Sequence, residues 1–68
     1  MKELAKDIGK LIRKNREIKK ISQEHLALLT WIDRSYLVCI ERGEVNLTVL
    51  KLYIIAKSID INPKDLLP

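Results

Sequence analysis

The sequence predicts an all-α domain built from five short helices. Apolar residues recur at spacings of three and four along most of the 68 residues, and no stretch alternates as a half-exposed strand would. Helix-capping residues stand between the apolar stretches, and the chain's few Gly and Pro lie at or near the predicted helix ends, except Gly9. We therefore expect residues 1–68 to form one compact domain with a thin core, close to the lower size limit for independent folding.

The first two helices follow from an amphipathic pattern and a capping residue. Lysines separate the apolar positions of the first helix, which we expect to end near residue 19; these positions are Leu4, Ile8, Leu11 and Ile12. Ser22 is a suitable N-cap for a short second helix over about residues 23–29, with Leu26 and Ala27 facing inward.

The third helix is predicted over residues 34–42. Asp33 is its expected N-cap, and Gly43 supplies the left-handed residue that ends it. Its buried stripe comprises Ile32, Leu37 and Ile40.

The last two helices are short as well. Thr48 caps a fourth helix over about residues 49–58, and Asn62 followed by Pro63 begins the fifth. The core-facing positions of the fourth helix are Val49, Leu52, Ile55, Ala56 and Ile59.

Positive charge is concentrated in the first two thirds of the chain. Residues 1–42 contain ten basic and six acidic residues, a net of +4, whereas residues 43–68 are neutral. This part of the chain is the one suited to a polyanion, although a solvated lysine-rich helix has the same composition.

The composition argues against an enzyme and against a membrane protein. His25 and Cys39 are the only His and Cys, so neither a structural zinc site nor a disulfide is expected, and no glycine-rich phosphate loop is present. We expect no metal, cofactor or small-molecule substrate. No apolar run approaches the roughly 20 residues of a membrane span, and we expect a cytoplasmic protein that does not associate with membranes.

The second and third helices are separated by about three residues and carry the small Ala27 at the fifth position of the second helix. This spacing is typical of a helix-turn-helix, because a small residue lets the two helices cross closely. The pattern alone leaves two interpretations open, namely a DNA-binding unit and a helical corner that serves only the core.

The residues themselves favour the first interpretation. The chain from about residue 8 to residue 67 resembles the phage-repressor helix-turn-helix family (Cro/cI, or XRE, type), through "SQE.LA", then "DRSY" with "IERG", then "I.P..LL". Within that family, "DRSYL..IERG" followed by "N.T" is most similar to the controller proteins of restriction–modification systems, which are dimeric regulators of their own operon. The resemblance implies a sequence-specific transcription regulator that binds a near-palindromic operator.

The resemblance places the third helix in the major groove of DNA. Arg34 at its start would bond to guanine, and Ser35 would reach a base or a phosphate. Val38 and Cys39 offer only apolar contact, for example to a thymine methyl group. The alternatives are an Arg34 paired with Asp33, and Val38 and Cys39 as ordinary surface.

The phosphate contacts implied by the resemblance lie around this helix, at Gln23, Tyr36, Arg42, Asn46 and Thr48. Tyr36 has partial burial as its alternative, and Thr48 has the competing task of capping. Arg16 and Glu41 match an internal ion pair of the family, which we interpret as structural.

Family members bind as dimers to two half-sites, and this chain has more apolar residues near its end than a thin core can cover. The expected dimer surface comprises Leu50, Tyr53, Ile54, Ile61, Leu66 and Leu67. If bound protein activates transcription, we expect the second helix to contact RNA polymerase.

Trp31 occupies the turn position that the family usually fills with Gly or Asn. We expect its ring on the surface, away from the DNA and lying over Leu28 or Leu29. The alternatives to a controller are a phage-type repressor and an antitoxin-like interaction module that uses the apolar face of the second helix. A basic membrane-surface helix would account only for residues 2–20.

Overall fold

The computed structural model describes residues 2–68 and contains four α-helices and one 3₁₀ helix. The α-helices are α1 (Lys2–Ile18), α2 (Gln23–Thr30), α3 (Arg34–Arg42) and α4 (Val49–Ser58), and the 3₁₀ helix is Pro63–Leu66. No strand is present between residues 2 and 68, so the all-α prediction is confirmed. The fifth predicted helix begins at Asn62 and Pro63 as expected, but it is a single 3₁₀ turn and not an α-helix, because the backbone is extended again at Leu67.

Side-chain caps define the starts of most helices. The Ser22 hydroxyl accepts a hydrogen bond from the His25 N–H (3.0 Å), and the Thr48 hydroxyl accepts one from the Lys51 N–H (3.2 Å). The Asn62 side chain accepts one from the Lys64 N–H in the same way. Asp33 occupies the N-cap position of α3, but its side chain makes no capping hydrogen bond, so this helix begins without the predicted cap.

The core lies between α1, the α2–α3 pair, α4 and the 3₁₀ helix. Nine side chains are buried in it, namely Ile12, Leu26, Leu37, Ile40, Leu52, Ile55, Ala56, Ile59 and Leu66. Two residues predicted on core-facing stripes are exposed instead: Leu4 by 40% and Val49 by 72%. The periodicity places both on the correct face, but the core begins further along each helix, with Gly9 the first buried residue of α1 and Leu52 that of α4.

Gly9 is the one glycine within a helix, and the structure explains it. A Cβ at this position would lie 2.5 Å from the carbonyl oxygens of both Ile40 and Glu41. The backbone of α1 therefore packs directly on the end of α3. Gly43 ends α3 in the predicted left-handed conformation, with φ of 73°.

Trp31 ends α2 with a left-handed backbone, with φ of 60° and ψ of 20°. Its ring is 95% exposed, so it is a surface residue as expected, but it does not cover Leu28 or Leu29, which are themselves exposed. The joint is instead held by Thr30, whose hydroxyl donates to the Leu26 carbonyl (2.7 Å) and accepts from the Ile32 N–H (3.2 Å). Within residues 2–68, no helix combines the length and apolar character that crossing a membrane requires.

Candidate nucleic-acid interface

Helices α2 and α3 pack against each other and are joined by residues 31–33 alone. Leu26 of α2 and Leu37 of α3 are fully buried and fix the crossing from inside. With its side chains an α-helix is about 10–12 Å in diameter, which matches the width of roughly 12 Å of the DNA major groove. The outer surface of α3 is therefore the right size to lie in that groove.

Arg34 stands at the exposed start of α3. Its guanidinium Nη1 lies 3.6 Å from the Glu24 carboxylate of α2, and both side chains are largely exposed. The partner is thus Glu24 and not Asp33, the alternative that the sequence suggested. An exposed pair of this kind contributes little to stability, so the guanidinium is free to exchange Glu24 for a guanine edge.

Ser35 and Tyr36 follow Arg34 on α3. Ser35 is exposed, and Tyr36 is half-buried with the ammonium of Lys51 4.3 Å from the centre of its ring. This cation–π contact joins α3 to the first turn of α4 and brings a positive charge next to Tyr36. Sequence analysis missed Lys51, because the two residues are far apart in the chain and only the tertiary fold brings them together.

Val38 and Cys39 lie in the middle of α3 and are both half-buried, with Cys39 a free thiol. They present apolar surface without a hydrogen-bonding group suited to base edges. Any contact they make with a base is limited to van der Waals packing, which discriminates weakly.

Gln23 is held by a buried ion pair. The Arg16 guanidinium donates from Nε and Nη2 to both carboxylate oxygens of Glu41 (2.7 and 3.0 Å), and Gln23 Nε2 donates to the same carboxylate (3.0 Å). Arg16 Nη1 also donates to the Ile21 carbonyl (2.9 Å). The predicted ion pair is therefore present, and it links α1, α2 and α3 at one point.

This network keeps Arg16 charged and orients the side chain of Gln23. The hydrogen bond to Glu41 raises the pKa of Arg16 above its ordinary value, outweighing the desolvation that lowers it, so the guanidinium stays charged at every assay pH. One amide hydrogen of Gln23 is engaged by Glu41, which leaves the other for a phosphate. The side chain of Gln23 is thus held in a defined orientation at the start of α2.

The remaining predicted phosphate contacts surround the exit of α3. Arg42, Asn46 and Thr48 are all exposed. The Thr48 hydroxyl oxygen caps α4, so capping is the role that the structure shows for it. These three candidates therefore lie at the end of α3 opposite to Arg34 and Ser35.

The residues predicted to form a dimer surface divide into three groups. Leu50, Tyr53 and Leu67 are exposed, and Ile54 and Ile61 are half-buried. Leu66 has no exposed surface and belongs to the core, so its assignment to the dimer surface is wrong. The 3₁₀ helix turns Leu66 inward. The sequence alone does not show which of the two adjacent leucines, Leu66 or Leu67, is buried.

No cluster of three or more His, Cys, Asp or Glu with the geometry of a metal site occurs in the described part of the chain. The polar groups around α3 offer hydrogen-bond donors and positive charge. This combination is suited to recognition of a polyanion.

Comparison with known proteins agrees with this geometry. A helix-turn-helix family model, HTH_3, matches residues 12–66. The control protein C.SmaI of Serratia marcescens is 38% identical over 56 residues, which span 82% of this chain and 67% of that protein.

Two solved structures are similar over nearly all of this chain. The restriction-modification controller protein C.AhdI from Aeromonas hydrophila superposes with a TM-score of 0.87 at 38% identity, covering 94% of this chain and 96% of that one. An HTH_3 family transcriptional regulator from Vibrio cholerae superposes with a TM-score of 0.89 at 25% identity, covering 94% of this chain and 36% of that one.

Proposed function

The chain belongs to the HTH_3 helix-turn-helix family, and we propose that it is a DNA-binding transcriptional regulator of a restriction–modification operon, of the controller type. It acts on DNA in the cytoplasm. Recognition comes from α3 in the major groove, with Arg34 reading a guanine and Ser35 a base or phosphate beside it. Gln23, Tyr36, Arg42 and Asn46 bind phosphates on either side.

The observation that carries this proposal is the arrangement of α2 and α3 around one buried ion pair. The pair fixes Gln23 at the start of α2, and Arg34 and Ser35 at the start of α3 are exposed. A helical corner that served only the core would not need a half-buried amide held beside an exposed arginine-bearing helix.

Two copies are needed for one operator. The longest dimension of the domain is 27 Å, whereas half-sites one helical turn apart are separated by about 34–36 Å. We propose that the exposed side chains of Leu50, Tyr53 and Leu67 join the copies, because all three are large and apolar and remain 71%, 57% and 49% exposed in the single domain.

Selection from a pool of random duplexes tests the function and identifies the operator in one experiment. The expected product is a near-palindromic sequence bound by two copies, with an affinity that falls steeply as salt rises because counterions are released. Recovery of no preferred sequence, or binding that is insensitive to salt, would contradict the proposal.

Sedimentation velocity tests the dimer separately. Leu50→Glu places a charge on a side chain that is outside the core, so the variant is expected to fold normally and sediment as a monomer. A Leu50→Glu variant that remains dimeric would exclude this surface.

A contact between α2 and RNA polymerase is a second candidate role. It is favoured by Leu28 and Trp31, two large apolar side chains that are 77% and 95% exposed at the end of α2. Leu28→Ser is expected to abolish activation in a purified transcription assay while leaving operator affinity unchanged. Unchanged activation by this variant would remove α2 from the polymerase contact.

A further inference from the structure

We propose that the DNA interface extends beyond the helix-turn-helix to the start of α1, through a basic cleft that binds a phosphate group of the DNA backbone. The cleft lies between α1 and the exit of α3 and has a volume of about 560 Å³. Its polar lining comprises Lys2, Lys6, Arg42, Glu44 and Asn46, and we refer to it as the α1–α3 cleft. The inference rests on the proposed function, because it assigns a further part of the same DNA contact.

Two glycines allow the two walls of the cleft, α1 and the end of α3, to pack closely on each other. A Cβ on Gly43 would lie 2.6 Å from both Cα and Cγ of Lys6, and a Cβ on Gly9 would lie 2.5 Å from two carbonyl oxygens of α3. Both contacts are with backbone or with the base of a side chain, so α1 cannot move away from α3 without disrupting this close packing. The position of Lys6 beside Arg42 is therefore a fixed feature of the fold.

The charge of the cleft is positive, and helix stability explains only part of it. Three basic side chains face one acidic side chain, Glu44, which leaves a net charge of +2. The negative end of the α3 dipole favours Arg42 and Lys6 near its last turn, but Lys2 stands at the first position of α1, where a cation is disfavoured. Such an unfavourable position is expected if Lys2 binds an anion from outside the protein and does not act to stabilise its own helix.

The hydrogen-bonding groups of the cleft suit a phosphate. A guanidinium offers paired N–H donors, an ammonium is a compact point charge, and the Asn46 amide adds a neutral donor. Arg42 and Asn46 are also the residues that we propose as phosphate contacts at the exit of α3. The cleft is thus continuous with that contact, and a bound strand that reaches Arg42 passes beside Lys6 and Lys2.

A pair of matched double variants tests the cleft. Lys2→Gln with Lys6→Gln removes two charges from it, and Lys10→Gln with Lys14→Gln removes two charges at the same spacing from a different groove of α1. All four side chains are exposed, so both variants are expected to fold. Each phosphate that the cleft variant no longer binds should reduce the slope of log affinity against log salt by about 0.9 per copy, and the reduction should be clearly smaller in the control.

Phosphate ethylation interference on the selected operator locates the contact. In the wild type, ethylation of one phosphate per half-site beyond those bound by the helix-turn-helix and the exit of α3 should interfere with binding, and that additional interference should disappear in the cleft variant alone. Equal salt slopes and equal interference patterns for the two double variants would contradict phosphate binding in the cleft without contradicting the proposed regulatory function. Titration with inorganic phosphate at constant ionic strength adds a second arm: saturation of the cleft without any change in operator affinity would assign it to a free anion and overturn the inference.

Different results would contradict the proposed function and the phosphate-binding cleft. If the wild type selects no DNA sequence at all, the proposed function is contradicted before either variant is tested. If the wild type binds its operator and only the cleft prediction fails, DNA recognition is confined to α2, α3 and the segment after α3.

Discussion

Replacing Trp31 with glycine is expected to stabilise the domain by about 0.5–1 kcal/mol. A residue with a side chain loses roughly 1–2 kcal/mol in the left-handed conformation that Trp31 adopts, and glycine avoids this cost. Glycine loses about 0.5–1 kcal/mol in additional backbone entropy on folding, which offsets part of the gain. Because the indole ring is 95% exposed, its removal takes almost no packing from the core.

Thermal unfolding followed by circular dichroism measures this difference. In a domain of this size, 0.5–1 kcal/mol corresponds to an increase in Tm of about 2–8 °C. Trp31→Ala is the matched control, since it removes the ring but keeps the backbone strain, and its Tm should remain near that of the wild type. If both variants were destabilised by more than about 1 kcal/mol, the ring would be a packing residue and the argument from exposure would be refuted.

Four further substitutions test the packing of the domain. Glu41→Ala should cost about 3–5 kcal/mol in a urea titration, because it leaves the buried Arg16 guanidinium without its partner; a cost below 1 kcal/mol would show that the pair is not desolvated. Gly9→Ala should destabilise the domain by about 1–3 kcal/mol in the same titration, because its methyl group would contact two backbone carbonyls that cannot turn aside; unchanged stability would contradict the close approach of α1 and α3. Leu66→Ala should lower the free energy of unfolding by about 2–5 kcal/mol and Leu67→Ala by much less, since only Leu66 is buried. Equal losses would contradict the inward orientation of Leu66 in the 3₁₀ helix.

Much of the fold was predictable because it depends on local signals. Ser22 and Thr48 cap helices through contacts within four residues, and Gly43 adopts the left-handed conformation that its position requires. The Arg16–Glu41 pair spans 25 residues and came from the family resemblance, since nothing local in the sequence pairs these two side chains.

The errors have a common physical origin. Leu4 and Val49 have the correct helical phase but extend past the ends of the core, and Leu66 turns inward where Leu67 turns outward. The spacing of apolar residues predicts which face of a helix is buried. It does not predict how much of the helix length the neighbouring elements cover. The Lys51–Tyr36 contact was missed for the related reason that it depends on where the tertiary fold places the start of α4 relative to α3.

Reading of DNA by α3 is tested most directly by Arg34→Ala, through the ratio of specific to non-specific affinity at one fixed salt concentration. Arg34 is exposed and pairs only weakly with Glu24, so the variant should fold as the wild type does. The free-energy difference between specific and non-specific binding is expected to fall by about 1–3 kcal/mol for each guanine that is no longer read. Arg42→Ala should weaken both affinities by similar factors and leave their ratio unchanged. An Arg34→Ala ratio equal to that of the wild type would contradict base reading by this residue at the start of α3.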